Sequence, residues 1–328
     1  MKKTLLKTIY NLGGFAPFHR ANRGNLCVLM YHRFSREPDQ HKISAEEFAA
    51  HLDYLKKHHR VLSLSEAIDR LKNGASLPPN AVVITIDDGY ADAYEIAFPL
   101  LKKFDLPATL YAVTDFLDGR IWLWTDLMRY VLSETKTNLV KVEFTGEDKI
   151  ETNLTNAAQK LETANRINAR LKKLPNEQKE TKIKEIAKRL NISIPETPTI
   201  NFAPVSWTQA REMDAGFVRV ESHTVTHPIL TNINQNELDD ELRISKNRLE
   251  DQLNREVKNF CYPNGTLNAA VQKAVENAGY ESAVTTAYGF NDVNTNQFAL
   301  KRIDAPAAIE NFAQSASGFE AFRQKIKN

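Results

Sequence analysis

The run Val82-Val83-Ile84-Thr85-Ile86 is short and β-branched, and it ends abruptly in Asp87-Asp88-Gly89. Such a run reads as a buried strand. Two adjacent carboxylates at its end repel each other, and burying them unpaired is costly. A divalent cation, a substrate or water has to offset that cost. Asp-Gly is also ordinary turn chemistry, so the pair alone leaves two readings open, a plain turn or a binding site.

The rest of the chain narrows the choice. A strand at Leu26–Met30 is followed by a helix that opens on the capping box Ser44-Ala45-Glu46-Glu47 and carries Phe48, Leu52 and Leu55 at helical spacing. A strand at Val61-Leu62, a short helix over Ser65–Lys72, the Val82–Ile86 strand, a helix over Ala91–Phe104 and a strand over Ala108–Val113 come next. After a second capping box, Ser206-Trp207-Thr208-Gln209, strands are expected at Phe217–Val220, Val257–Cys261, Ala283–Thr286 and Phe298–Ile303, with helices between them. Seven or eight short strands alternating with helices predict an α/β fold with a parallel sheet. No Gly-rich phosphate loop follows any strand, so an incomplete (β/α) barrel of about seven strands fits better than an open dinucleotide-binding sheet.

The alternation breaks between residues 118 and 204. That stretch holds a Trp-rich turn (Ile121-Trp122-Leu123-Trp124), a strand-like run (Leu139–Phe144) and a hairpin turn at Gly146-Glu147-Asp148. Two Lys/Glu-rich helical segments follow, Ala157–Leu174 and Glu177–Leu190, with apolar faces. The expected organisation is therefore an N-terminal arm (1–24), a barrel domain (25–117 and 205–328) and an inserted hairpin-plus-helix segment (118–204).

Charge and cysteine content exclude some classes. The 328 residues carry a net charge of +2 with no aromatic-studded basic stripe, which argues against nucleic-acid binding. Cys27 and Cys261 both lie in apolar runs and read as buried thiols. At the N-terminus Leu5, Ile9 and Leu12 fit one helical face beside Lys2, Lys3 and Lys7. This predicts a helix packed on the domain, with peripheral contact to an anionic membrane as the second reading. Lys7 and Asn11 interrupt any signal-peptide core, so the expected location is the cytoplasm or the cytoplasmic membrane face, with export left open.

In a parallel barrel, functional groups gather at the C-terminal ends of strands. Here those ends carry His32, Asp87-Asp88, Glu221-Ser222-His223-Thr224-Val225-Thr226-His227-Pro228 and Tyr262-Pro263-Asn264-Gly265. His223 and His227 are four apart, which on a helical turn puts both imidazoles on one face. With one of the two carboxylates they make a two-His, one-carboxylate set that leaves coordination positions open for water and substrate. His51, His58 and His59 read as surface residues, and Asp92 and Asp304 as capping or surface carboxylates. Trp122 and Trp124 could stack on a sugar ring or simply pack.

Thr85-Ile86-Asp87-Asp88-Gly89 resembles the first motif of the polysaccharide deacetylase family (NodB-homology domains, carbohydrate esterase family four), and Ser222-His223-Thr224-Val225-Thr226-His227-Pro228 resembles its second. The resemblance covers about residues 25–116 and 205–305. It implies a distorted, incomplete (β/α) barrel and metal-dependent removal of acetyl groups from N-acetylated sugars in a polysaccharide, oligosaccharide or glycolipid. Asp87 would be the general base, and Asp88, His223 and His227 would hold one divalent ion, zinc by default, with iron, cobalt or nickel as alternatives. The oxyanion would take a backbone N–H near Tyr262–Asn264. The family's Arg-x-Pro-Tyr motif is replaced by Cys261-Tyr262-Pro263-Asn264, and no histidine follows His227. Val28-Leu29-Met30-Tyr31-His32 resembles the permuted poly-N-acetylglucosamine deacetylases of biofilms, in which an N-terminal histidine is the acid. That makes His32 the candidate acid, with Tyr31 packing or lining the site, and Arg302 the candidate replacement for the missing arginine. The competing expectations are an amidohydrolase acting on a small non-sugar amide and an inactive glycan-binding module.

Overall fold

Strands covered on both faces must be apolar along their whole length. In the computed structural model, which describes residues 2–144 and 148–320, three strands meet that condition: β1 (Cys27–Tyr31), β2 (Ala81–Ile86) and β3 (Ala108–Ala112) are buried at every position. β4 (Val218–Ser222), β5 (Asn259–Cys261), β6 (Ser282–Tyr288) and β7 (Leu300–Asp304) complete the set. Each strand pairs in parallel with the next, and β7 returns to β1. The ring is thus a closed barrel of seven strands, one fewer than a complete (β/α) barrel has. Its distortion sits between β4 and β5, which share the single register pair Phe260–Ser222, and in β6, whose register slips between Val284 and Tyr288. A two-residue strand, Arg60–Val61, pairs with the start of β2.

Register decides what the strand ends bring together. Tyr31 lies opposite Ile86, so His32 and Asp87 leave adjacent strands side by side, and the Asp87 N–H donates to the Tyr31 carbonyl. Ala112 lies opposite Ser222, so β4 releases the chain at His223.

Both predicted capping boxes are present, at Ser44/Glu47 and Ser206/Gln209. The helix expected over Ala91–Phe104 is instead a wide π turn, Ala93–Ala97, running into a regular helix, Phe98–Phe104. Pro99 explains the change. It has no N–H to donate at this point, and the Phe98 N–H reaches back five residues to the Ala93 carbonyl.

The segment after β3 has a core of its own. The hairpin strands Leu139–Glu143 and Lys149–Asn153 and the helices Trp124–Glu134, Ala157–Leu171 and Asn176–Arg189 bury Met128, Val131, Val142, Ile150, Ile167 and Ile183 among one another. Gly146 and Glu147 of the expected turn lie outside the described residues. At the N-terminus, the helix Lys2–Asn11 packs through Leu6, Ile9 and Tyr10. Leu5 and Leu12, expected on the packed face, are 62% and 81% exposed. Ile9 and Tyr10 are seated by the core around Tyr54, and that turns the Leu5–Leu12 stripe outward. The side chains of Lys2 and Lys3 are outside the described set. No described helix is long and apolar enough to cross a membrane.

Candidate active site

The strand ends open into one cleft of about 960 Å³, lined by His32, Asp87, Asp88, His223, His227, Tyr262, Asn264 and Arg302, with Trp124 at its edge. Four residues in or beside it have an unusual backbone. Asp88, Thr224, His227 and Asn264 all adopt positive φ, at 77°, 72°, 60° and 59°. Residues other than glycine rarely do so, and they persist there only where the surroundings hold them.

His223 and His227 converge, but not on a helical turn. They sit in a loop after β4 that Thr224 and His227 curl back on itself through their left-handed backbones. The Glu241 carboxylate clamps this loop by accepting the Val225 and Thr226 N–H groups, and the Thr224 hydroxyl accepts the His227 N–H at 3.0 Å. The two rings lie 4.8 Å apart at 72°. Their Nε2 atoms point at one oxygen, Asp88 Oδ1, at 3.4 and 3.5 Å.

This donor set fits a divalent cation. His223 Nδ1 lies 2.7 Å from the Cys261 carbonyl, an acceptor, so Nδ1 carries a proton and Nε2 faces the ligand position. Burial works against the imidazolium, but Cys261 and Asp88 outweigh it and raise the His223 pKa, so a cation would displace the Nε2 proton. Burial, reinforced by the neighbouring His223, holds the His227 imidazole neutral by lowering its pKa to about 3. Neutral imidazole is the ligating form. Burial works against the Asp88 carboxylate, but the imidazoles outweigh it and keep Asp88 ionised well below the usual range. A second trio, Asp87, His223 and Cys261, is equally close. It fits a cation poorly, because the Arg302 guanidinium already sits on both Asp87 and the Cys261 sulfur.

Asp87 is buried and held in a bidentate grip. Arg302 donates to Oδ1 and Oδ2, each at 2.7 Å, and to the Thr85 hydroxyl and the Thr285 carbonyl at 3.1 and 2.8 Å. Burial alone would raise the Asp87 pKa, but the guanidinium more than offsets it, and the carboxyl sits below its usual range. His32 Nε2 lies 3.7 Å from Asp87 Oδ2, and its side chain is 43% exposed to the cleft.

Several expectations change. Tyr262 contributes neither its hydroxyl, which donates to the Phe298 carbonyl at 2.9 Å, nor its N–H, which donates to the Val284 carbonyl within the sheet. Pro263 has no N–H, and Asn264 is left as the backbone donor of this turn without a partner among the described residues. Trp122 does not line the cleft. Its ring packs on Tyr130 and Phe202, and its Nε1 donates to the Pro195 carbonyl at 2.9 Å. His51 is fully buried, stacked 3.9 Å from Phe312 and hydrogen-bonded to Tyr31 and Ala307. Asp92 is no surface cap. It pairs with Arg33 at 2.7 Å, whereas Asp304 is exposed at the end of β7. Cys261 is a further site neighbour, not expected from the sequence although it ends a strand. Arg33, Lys42, Arg129 and Lys172, which line the same cleft, were not expected either. Arg129 and Lys172 lie in a segment rich in charged residues, where nothing in the sequence sets them apart.

Comparison with known proteins identifies the family and the fold. Residues 74–195 and 196–283 match the sequence model described as polysaccharide deacetylase. YxkH of Bacillus subtilis (strain 168), whose name places it with that group, is 22% identical over 92% of this chain and 77% of its own length. The poly-beta-1,6-N-acetyl-D-glucosamine N-deacetylase of Staphylococcus aureus is 31% identical, but over only 30% of this chain and 34% of its own length. Among solved structures, the Streptococcus pyogenes deacetylase PplD superposes with a TM-score of 0.61 at 19% identity, covering 90% of this chain and 99% of its own. IcaB from Ammonifex degensii gives 0.57 at 20%, covering 90% and 97%. These two likenesses speak to the fold.

Proposed function

Because the chain belongs to the polysaccharide deacetylase family, we propose that it removes the acetyl group from an N-acetylated sugar by hydrolysis, with a divalent ion held by Asp88, His223 and His227. The observation that carries this reading is the convergence of those three donors, all within 4.8 Å of one another, beside an ionised Asp87. When bound, the ion supplies Lewis-acid polarisation of the amide carbonyl and a more acidic water. Two imidazoles and a carboxylate suit zinc, and iron, cobalt or nickel fit the same donors.

Each protein group then has a task. Asp87, kept ionised and oriented by Arg302, takes a proton from the attacking water. The Asn264 N–H donates to the oxygen on which negative charge develops. The C–N bond breaks, acetate leaves carrying the water's oxygen, and the amine nitrogen takes a proton from His32. The exposure of His32 to the cleft suits that task, because the acid must reach the sugar side of the bond. A 960 Å³ cleft is at the large end for a ligand site, which favours a glycan or glycolipid over a small non-sugar amide. The completeness of the set favours an enzyme over an inactive glycan-binding module.

The test is acetate release from N-acetylglucosamine oligomers and other N-acetyl glycans by the metal-loaded protein. Release that Asp87→Asn abolishes supports the reading. Cleavage of a small amide with no acetate from any glycan would replace it with the amidohydrolase reading.

A further inference from the structure

The catalytic cleft is also lined by Arg33, Lys42, Arg129 and Lys172. Arg33 and Lys42 come from the stretch after β1, and Arg129 from the helix Trp124–Glu134. Lys172 is the residue that closes the helix Ala157–Leu171. The acidic partners of Arg33, Lys42 and Arg129 stand behind them. Asp92 accepts from Arg33 at 2.7 Å and lies 4.0 Å from Lys42, and Asp126 accepts from Arg129 at 3.1 Å. Neither aspartate lines the cleft, and Asp126 is fully buried, with Tyr90 donating to its other oxygen at 2.6 Å. The Arg33 guanidinium lies over the Tyr90 ring, 3.9 Å from its centre, and donates to the Asn201 carbonyl at 2.6 Å. This wall therefore presents cations to the cleft and hides the carboxylates that hold them.

The positive charge on the wall is incompletely balanced. Lys172 has no carboxylate partner among the described residues, and its ammonium donates to the Asn264 side-chain oxygen. Arg129 Nε is buried without a hydrogen-bond partner. Asp39 also lines the cleft, but its Oδ1 is taken by the His41 and Lys42 N–H groups. Lys160 and Asp304 line the cleft as well, and with these and Asp39 counted, five cations face four carboxylates outside Asp87, Asp88 and Arg302. Burial and the adjacent Arg129 charge both work against the Lys172 ammonium, and burial and Arg33 do the same to Lys42. An anion in the cleft would relieve both strains.

We propose that the cleft takes an N-acetylated glycan bearing an anionic oxygen group, a phosphate or a carboxylate, next to the sugar that is deacetylated. Arg33, Lys42, Arg129 and Lys172 form the subsite for that group. The inference rests on the deacetylase reading above. Phosphate and carboxylate are the groups that such ammonium and guanidinium donors bind through charge-assisted hydrogen bonds. The Lys172–Asn264 contact ties the subsite to the turn that offers the oxyanion donor, so the anion lies beside the reacting sugar. The wall also disfavours a neutral homopolymer stripped at successive sugars. Each deacetylation makes an ammonium, which the wall would repel.

The experiment compares kcat/KM for three oligosaccharides of equal length: a neutral N-acetylglucosamine oligomer, the same oligomer carrying a phosphate, and one carrying a uronate. At least a tenfold advantage is expected for an anionic oligomer. The advantage should shrink as salt is raised and fall toward parity in Lys172→Met and, separately, in Lys42→Met. Whether the phosphate or the uronate gains identifies the oxyanion. A neutral oligomer cleaved as well as both anionic ones overturns the inference while leaving the deacetylase reading intact, and so does an advantage that survives both substitutions. Acetate release from none of the three overturns the deacetylase reading, and this inference falls with it.

Discussion

Replacing Arg302 with methionine removes a guanidinium that is buried to the same degree as the carboxylate it holds. Both Asp87 oxygens lose a 2.7 Å charge-assisted bond, and the Thr85 hydroxyl and Thr285 carbonyl lose their donors. Breaking a buried pair from one side costs about 3–5 kcal/mol, because the remaining charge is left uncompensated. For 328 residues, an unfolding entropy of about 2.1 cal/mol/K per residue converts that loss into a fall in Tm of about 4–7 °C. The assay is thermal and urea unfolding of the zinc-loaded protein, with Arg243→Met as the control. Arg243 forms an exposed pair with Asp240, and its loss should cost under about 1 kcal/mol. Adding Asp87→Asn to Arg302→Met should restore part of the loss, since the stranded charge is then gone. If Arg302→Met is as stable as the control, Arg302 does not compensate Asp87 and the account of the base is wrong.

Three further outcomes are expected. His32→Ala should lower kcat by about 10²–10⁴-fold while leaving metal content unchanged, and unchanged turnover would reject His32 as the acid. Gly265→Ala should cost at least about 2 kcal/mol in urea unfolding and lower kcat. Gly265 has φ +69°, and an added Cβ would run into the Thr286 backbone N and hydroxyl, displacing the Asn264 turn. Lys179 is 2% exposed, lies over the Trp124 ring, and burial lowers its pKa to about 8 from 10.5. Between those values the unfolded chain binds the extra proton, so stability should rise with pH from about 8 to 10.5 by up to about 3 kcal/mol. Lys179→Met should abolish that rise, and a pH profile unaltered by the substitution would refute the argument.

The sequence revealed the parts of this molecule that rest on local pattern. β-branched runs gave the barrel strands, and the capping boxes at Ser44 and Ser206 gave two helix starts. Polar residues crowded at strand ends gave Asp87, Asp88, His223, His227 and His32. The family resemblance also named Arg302, the candidate replacement for the missing arginine, which meets Asp87 across 215 positions once the ring closes. What stayed hidden depends on distant partners. His51 was misplaced although it stands three after Phe48 and four before Leu55, on the apolar face of its helix. Its hydrogen bonds to Tyr31 and Ala307 make the burial affordable, and neither partner is close in sequence. The convergence of His223 and His227 was legible, but its cause was not. Left-handed backbone at Thr224 is not encoded by a residue type that favours it, and the loop is held by Glu241, fifteen residues on from Thr226. The cationic wall was hidden for a similar reason, because its carboxylates and its cations come from the barrel and from the inserted segment alike.

The central claim is that two adjacent carboxylates at the end of β2 divide their work, Asp88 holding a metal ion and Asp87 remaining free as base. The most direct measurement is metal stoichiometry by elemental analysis, combined with acetate release on the same samples of wild type, Asp88→Asn and Asp87→Asn. The account predicts one ion per chain and acetate release in the wild type, loss of both in Asp88→Asn, and one ion with no acetate in Asp87→Asn. An Asp88→Asn protein that keeps its ion, or an Asp87→Asn protein that keeps releasing acetate, would contradict it.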